Sequence, residues 1–317
     1  MITIDDILQA RPRIQPFVRR TPLERSRTLS RELGANVYLK LELFQRTGSF
    51  KPRGAFNQIL RLTPEQRARG VVGVSGGNFA QALADAGRTL GAPTMVCMPE
   101  TAPRASVEAT RAYGASIELA ATFPEVFARA EAMREAGACL LHPFDDPYQM
   151  AGVGTIGLEV HEDLPQVTDI VISIGGGGLI VGVAVALEAL VPGIRIWGVE
   201  TAGADAMGQA LKAGRVVQVR PTSLARTLSA PYVAEDALTI MQRHPDRYVL
   251  VSDREAYEAA RHLLERTKIN AELAASCTLA AARMVREAFS PDSHVVLLIC
   301  GGNVSLDDWL DYHRHFA

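Results

Sequence analysis

A lysine set between an aromatic ring and a proline, in Thr47-Gly48-Ser49-Phe50-Lys51-Pro52-Arg53-Gly54-Ala55, is the first place in the chain where chemistry could sit. It follows an alternating run, Val37-Tyr38-Leu39-Lys40-Leu41-Glu42, that reads as a strand. The proline restricts the backbone and sets the lysine in a turn entering a helix. Alone, such a lysine is more often a surface residue. The second place is Gly175-Gly176-Gly177-Gly178, between the apolar run Asp169-Ile174 and a helix from Leu179. Consecutive glycines let the backbone approach an anion closely, and the amides of the following helix N-terminus donate to phosphate. Neither the G-x-G-x-x-G spacing nor G-K-[ST] is present, so a single phosphate fits better than a dinucleotide or a nucleoside triphosphate. A reactive lysine and a monophosphate cradle together suggest a phosphorylated aldehyde cofactor held as a Schiff base.

Such groups need a scaffold, and the rest of the chain supplies one. Gly70-Ser75 and Thr94-Met98 are continuous apolar runs of strand length, as buried parallel strands should be, and Asn78-Leu90 between them has helical spacing. The same grammar recurs with strands at Ala115-Leu119, Asp169-Ile174, Ile194-Glu200 and Val295-Cys300, and helices at Pro124-Ala136 and Arg254-Lys268. Alternating strands and helices predict an α/β protein built from parallel sheets, with two domains and a cleft between them. The stretch Leu141-Gly154 reads as the loop on which the chain passes from one unit to the other.

Composition narrows the classes further. The chain has 317 residues, with 33 Lys and Arg against 35 Asp and Glu. That balance leaves no field to draw it onto nucleic acid or an anionic membrane. The longest apolar stretch, around Gly178-Leu187, is too short to span a bilayer, and the acidic N-terminus does not read as a secretory signal. Cys97, Cys139, Cys277 and Cys300 form no Cys-x-x-Cys pair, so we expect no zinc site and no disulfide framework, and a cytoplasmic location. The seven histidines show no ligand spacing and read as surface or internally satisfied residues, so no metal is expected to take part in catalysis.

Ser49-Phe50-Lys51-Pro52-Arg53-Gly54-Ala55, Ser75-Gly76-Gly77-Asn78, Gly175 to Leu179 and Cys300-Gly301-Gly302-Asn303 together resemble the serine/threonine dehydratase and serine racemase group of fold-type II pyridoxal-phosphate enzymes. The motifs come in that family's order and span nearly the whole chain, and Gly154-Glu159 is similar to its connecting segment. The resemblance implies two open parallel-sheet domains, like the tryptophan synthase β-subunit, with pyridoxal 5'-phosphate in the cleft. Residues 1–60 and 145–317 would form the large cofactor-binding domain, and 61–144 a small mobile one. It implies a small amino-acid substrate and a homodimer. By the same resemblance Lys51 carries the cofactor and then removes the α-proton. Phe50 packs on the ring, Asn78 meets its phenolic oxygen, Gly175, Gly176, Gly177, Gly178 and Leu179 hold its phosphate, and Cys300 faces the pyridine nitrogen. Ser75, Gly76, Gly77, Asn78 and Phe79 form the substrate loop. The implied reaction is β-elimination from a β-hydroxy amino acid such as threonine or serine, giving a 2-oxo acid and ammonia. A bulkier or acidic substrate such as 3-hydroxyaspartate, β-replacement, and a non-catalytic amino-acid binder are the alternatives.

Some positions depart from the family pattern. Racemases of the group have a serine where Gly76 stands, and a glycine has no proton to give, so racemisation is expected to be weak. Phe79 replaces a common histidine and is read equally as a sign of a less polar substrate or as helix packing. Glu200 and the Ala204 carbonyl fit a cation site of many relatives, but Ala206 stands where its second carboxylate is expected. Glu272 matches a glutamate near the cofactor, although Leu273-Ala274-Ala275-Ser276 departs from the usual sequence after it.

Overall fold

The computed structural model describes residues 1–316. Ten strands form two sheets. The larger has the order β1-β2-β10-β7-β8-β9, from β1 (Leu23–Arg25), β2 (Asn36–Leu41), β7 (Asp169–Ser173), β8 (Arg195–Thr201), β9 (Tyr248–Val251) and β10 (His294–Ile299). The smaller has the order β5-β4-β3-β6, from β3 (Val71–Val74), β4 (Thr94–Pro99), β5 (Ser116–Ala120) and β6 (Cys139–Leu141). All pairings are parallel except that of β1, a three-residue edge strand antiparallel to β2. The runs lacking polar alternation, β7 and most of β10, are buried throughout, as strands covered by helices on both faces must be.

The stretch 141–154 corrects the sequence reading. Only residues 142–146 are loop, and a helix runs from Pro147 to Asp163. Asp146 caps it by accepting the Gln149 amide at 2.8 Å, and Pro147 opens it. Its glycines look like turn residues in the sequence but serve close packing. A Cβ at Gly152 would lie 2.3 Å from the Arg53 carbonyl oxygen, one at Gly154 2.9 Å from the Gly182 carbonyl oxygen, and one at Gly157 2.7 Å from Ala186 Cβ. This helix is thereby pressed against both the Lys51–Leu60 and the Gly178–Leu190 helices.

A buried ionic cluster fixes the Lys51–Leu60 helix from behind. Arg53 donates to both carboxylate oxygens of Glu42, at 2.8 Å each, and to both of Glu159, at 2.7 and 2.9 Å. Lys40 donates to Glu159 at 2.6 Å and to the Thr21 carbonyl at 2.8 Å. Two positive and two negative charges so cancel at the junction of β2 and two helices.

Candidate active site

The loops that matter leave the carboxyl ends of parallel strands, where open α/β sheets place their crevices. The turn ending in Lys51 follows β2, Ser75–Gly77 follows β3, residues 142–146 follow β6, the glycine run follows β7, and Cys300–Asn303 follows β10. Two of these loops are stitched together. Phe50 N–H donates to the Cys300 carbonyl at 3.0 Å, Gly302 N–H donates to the Gly48 carbonyl at 2.9 Å, and Asn303 Nδ2 donates to the Thr47 carbonyl at 2.8 Å. Thr47 takes a left-handed conformation, φ 58°, to make this turn.

Lys51 is half-buried at the helix start, and its Nζ donates to the Pro143 carbonyl at 2.6 Å. Nζ also stands 4.9 Å from the centre of the Phe50 ring and 5.9 Å from that of Phe79. Burial draws the amine down to about 8 from an ordinary 10.5, and the acidic neighbours Cys300 and Glu272 offset only part of that shift. A substantial neutral fraction near physiological pH follows.

The glycine run ends in the helix Gly178–Leu190, with Gly177 at the cap in a left-handed conformation, φ 91°. A methyl group at Gly176 would fall 2.2 Å from the Phe144 ring, and one at Gly177 2.2 Å from Ala237 Cβ. The glycines are therefore required first by packing, which pins the loop. Among the described residues the amides of Gly175 through Leu179 find no acceptor in the chain. A row of unpaired N–H groups at a helix N-terminus is an anion site.

Cys300 is buried at the end of β10. Burial and the neighbouring Glu272 and Cys277 push its thiol well above the ordinary range, so it is a neutral hydrogen-bonding group. Ser173 lies beside it and donates to the Ala274 carbonyl at 2.6 Å.

At the small sheet, Ser75 Oγ accepts the Gly77 amide at 3.2 Å, and among the described residues the amides of Gly76, Asn78 and Phe79 have no acceptor. Asn78 donates through Nδ2 to both carboxylate oxygens of Glu272, at 2.9 and 3.2 Å, and accepts from Asn303 at 2.7 Å. Phe79 packs in the small-sheet core while facing Lys51, so it takes part in both surroundings that the sequence left open.

Glu272 proves more central than the residues around it indicated. It caps the Leu273–Met284 helix while its carboxylate, pushed up to about 7 by burial, accepts from Asn78 and from Thr227 Oγ1 at 2.9 Å. His142, one of the histidines read as satisfied, is satisfied and also lies beside Lys51. Thr227, Pro143 and Phe144 carry no motif. The only trace of Phe144 in the sequence is the glycine run that makes room for it.

Glu200 does not offer an open ligand. Its carboxylate accepts the Met207 and Gly208 amides and the Tyr248 hydroxyl, at 2.9, 2.9 and 2.8 Å, and burial raises it to about 8. Among the described residues no three His, Cys, Asp or Glu side chains converge as metal ligands would.

A lysine lowered by burial and free helix amides, joined through the loop that carries Pro143 and Phe144, define a class of α/β enzyme that holds an anionic carbonyl compound through its amine. The chain belongs to the pyridoxal-phosphate dependent enzyme family, whose profile matches residues 14–301. It is 39% identical over 311 residues to an L-threonine ammonia-lyase of Thermotoga maritima, spanning 97% of this chain and 77% of that one. It is 38% identical to a catabolic L-threonine dehydratase of Staphylococcus aureus, over 96% of this chain and 90% of the relative. Among solved structures, maize serine racemase superposes with a TM-score of 0.92 at 34% identity, covering 99% of this chain and 98% of that one.

Proposed function

We propose that the protein is a pyridoxal-phosphate-dependent ammonia-lyase that converts L-threonine or L-serine to a 2-oxo acid and ammonia. The observation that carries this reading is the Lys51 amine, lowered by burial, on loops that also bear the unpaired amides of Gly175–Leu179 and the neutral thiol of Cys300. Identity to threonine ammonia-lyases over almost the whole chain supports the substrate class.

The residues present fit the cofactor. Gly175, Gly176, Gly177, Gly178 and Leu179 would hold the phosphate, Phe50 would lie against the ring, Asn78 would meet the phenolic oxygen through its side-chain amide, and Cys300 would face the pyridine nitrogen. When bound, pyridoxal phosphate acidifies the α-carbon of an attached amino acid and takes up the electron pair that the departing proton leaves. Lys51 takes that proton at Nζ, which it can do because burial has already made the neutral amine accessible. The free amides of Gly76, Asn78 and Phe79, at the start of a helix, receive the substrate carboxylate. Cys300 donates or accepts a hydrogen bond without bringing a charge, which favours prompt loss of the β-hydroxyl over prolonged storage of negative charge on the α-carbon. Gly76 offers no proton from the opposite face. We further read residues 61–144, which contain the smaller sheet, as a domain that closes over bound substrate, the enzyme as cytosolic and its assembly as a homodimer.

The test is a loading experiment. Wild-type protein incubated with pyridoxal phosphate should gain a long-wavelength absorbance band and release 2-oxo acid from L-threonine and L-serine, and Lys51→Ala should do neither. A protein that stays colourless would point instead to amino-acid binding without catalysis.

A further inference from the structure

The loop between β6 and the Pro147–Asp163 helix has contacts that the proposed reaction does not account for. It touches Lys51 on one side and the glycine run on the other, and it is built around one imidazole. His142 Nδ1 accepts the Asp145 amide at 2.8 Å and lies 3.4 Å from the Phe144 amide. A nitrogen that accepts two N–H groups carries no proton, so the ring is neutral and its proton sits on Nε2, which is 3.3 Å from the Tyr232 hydroxyl. Burial and the nearby Lys51 charge draw the imidazole down to about 4, so it stays in that form at any physiological pH.

The consequences of this turn run in two directions. It presents the Pro143 carbonyl to Lys51 Nζ at 2.6 Å, while Gln58, two helical turns on from Lys51, donates to the His142 carbonyl at 3.0 Å. One face of the Lys51–Leu60 helix thus grips the loop twice. The turn also sets the Phe144 ring edge-on to the imidazole, with centroids 4.6 Å apart, and against the glycine run, where a Cβ at Gly176 would meet the ring at 2.2 Å and one at Gly178 would meet the Phe144 carbonyl at 2.6 Å. Tyr232 closes the group from the opposite side, 5.3 Å from Phe144.

We propose that His142 is a positioning residue: its neutral imidazole organises the turn that holds the Pro143 carbonyl on the Lys51 amine and the Phe144 ring on the glycine run, and so registers the lysine against the anion site. The proposal deepens the reading of Lys51 as the reactive amine and rests on it. A side chain that only filled space would be replaced without loss by another of similar size. One that acts through its Nδ1 lone pair is replaced only by another acceptor at the same reach, and the carboxamide oxygen of asparagine makes the same contact with amides two and three residues on.

The experiment compares wild type, His142→Leu and His142→Asn as full-length protein, by two readouts besides activity. The first is the dissociation constant for pyridoxal phosphate, followed by absorbance. The second is the pH dependence with which the Lys51 amine of cofactor-free protein is acylated by a small reagent, read at the Lys51 peptide by mass spectrometry. His142→Leu should bind the cofactor at least tenfold more weakly and shift the midpoint of Lys51 acylation by at least half a pH unit, and His142→Asn should return both toward wild type. Leucine values within twofold of wild type, or an asparagine variant that fails like leucine, would overturn the proposal. If His142→Leu does not fold, His142→Gln, whose acceptor is displaced by one methylene, decides instead: three- to tenfold weaker binding is expected, and a change under twofold overturns it. A wild-type protein whose cofactor band survives Lys51→Ala would sink the earlier reading of Lys51, whereas a normal wild type with silent His142 variants would sink this inference alone.

Discussion

Two buried polar clusters flank the start of the Lys51–Leu60 helix and treat their charges in opposite ways. Around Arg53, every charge is answered: Glu42, Glu159 and Lys40 close a neutral set with multiple hydrogen bonds. Two residues earlier, Lys51 is half-buried with a single carbonyl partner, Glu272 is a carboxylate raised to about 7, and a row of glycine amides faces no acceptor. Unanswered polar groups in a folded interior cost free energy, so their concentration in one cleft marks where a ligand completes the set. The paired cluster holds the helix in place, and the unpaired one uses that fixed frame.

The contrast is broken most severely at its two lysine-helix residues. Lys51→Ala should lower turnover by about a thousandfold or more, the scale of a lost general base, measured as 2-oxo acid release. Folding should not suffer. Because the amine sits near 8 in the folded chain and 10.5 when unfolded, the native state binds fewer protons between those values, and its stability rises with pH across that window. Cofactor-free Lys51→Met should therefore be at least as stable as wild type in urea at pH 8. Arg53→Met should do the reverse, destabilising the protein by roughly 3–5 kcal/mol because two carboxylates lose their buried partner, again by urea unfolding. If Arg53→Met were harmless and Lys51→Met disruptive, the division between scaffold and site would be wrong.

A subtler test uses acid. His142 titrates near 4 when folded against an ordinary 6.5, so the unfolded chain binds the extra proton first and this group's contribution to stability is lost as pH falls from 6.5 toward 4. Glu272, raised to about 7, acts with the opposite sign between 4.5 and 7. The difference between wild type and His142→Asn isolates the histidine, and the variant should lose less stability over that acid range. The smallest expected signal is stereochemical. With Gly76 in place of a serine in the proposed substrate loop, L-serine should yield no D-serine above background in a chiral assay. A Cβ at this position would meet Ala102 Cβ at 3.2 Å, so Gly76→Ser requires a slight shift of that neighbour.

The parallel strands β2, β3, β4, β5, β7, β8 and β10 and the glycine-bearing loops at Gly48, Gly76, Gly175 and Gly301 are legible in the sequence because continuous apolar runs and glycine clusters are local signals, whereas the short β6 and β9 are too brief to stand out. Pro147–Gly154 reads wrongly as loop because glycines that permit close helix packing look the same as glycines that permit turns until their neighbours are known. Thr47, Ser49 and Phe50 stand next to Lys51 in the chain, yet the partners of Lys51 and Phe50, Pro143 and Cys300, are 92 and 250 residues away. Thr227 and His142 join the Lys51 surroundings only through tertiary packing, and nothing in their immediate sequence distinguishes them from surface residues, while Glu272 stands out only through the family resemblance.

The central claim is that the unpaired groups around Lys51 are completed by pyridoxal phosphate and an amino acid. It is tested most directly by incubating cofactor-loaded protein with L-threonine and measuring 2-oxobutyrate and ammonia together. The two products should appear in equal amounts, dependent on the cofactor and absent in Lys51→Ala. Loaded, folded protein that releases neither from threonine or serine would contradict it.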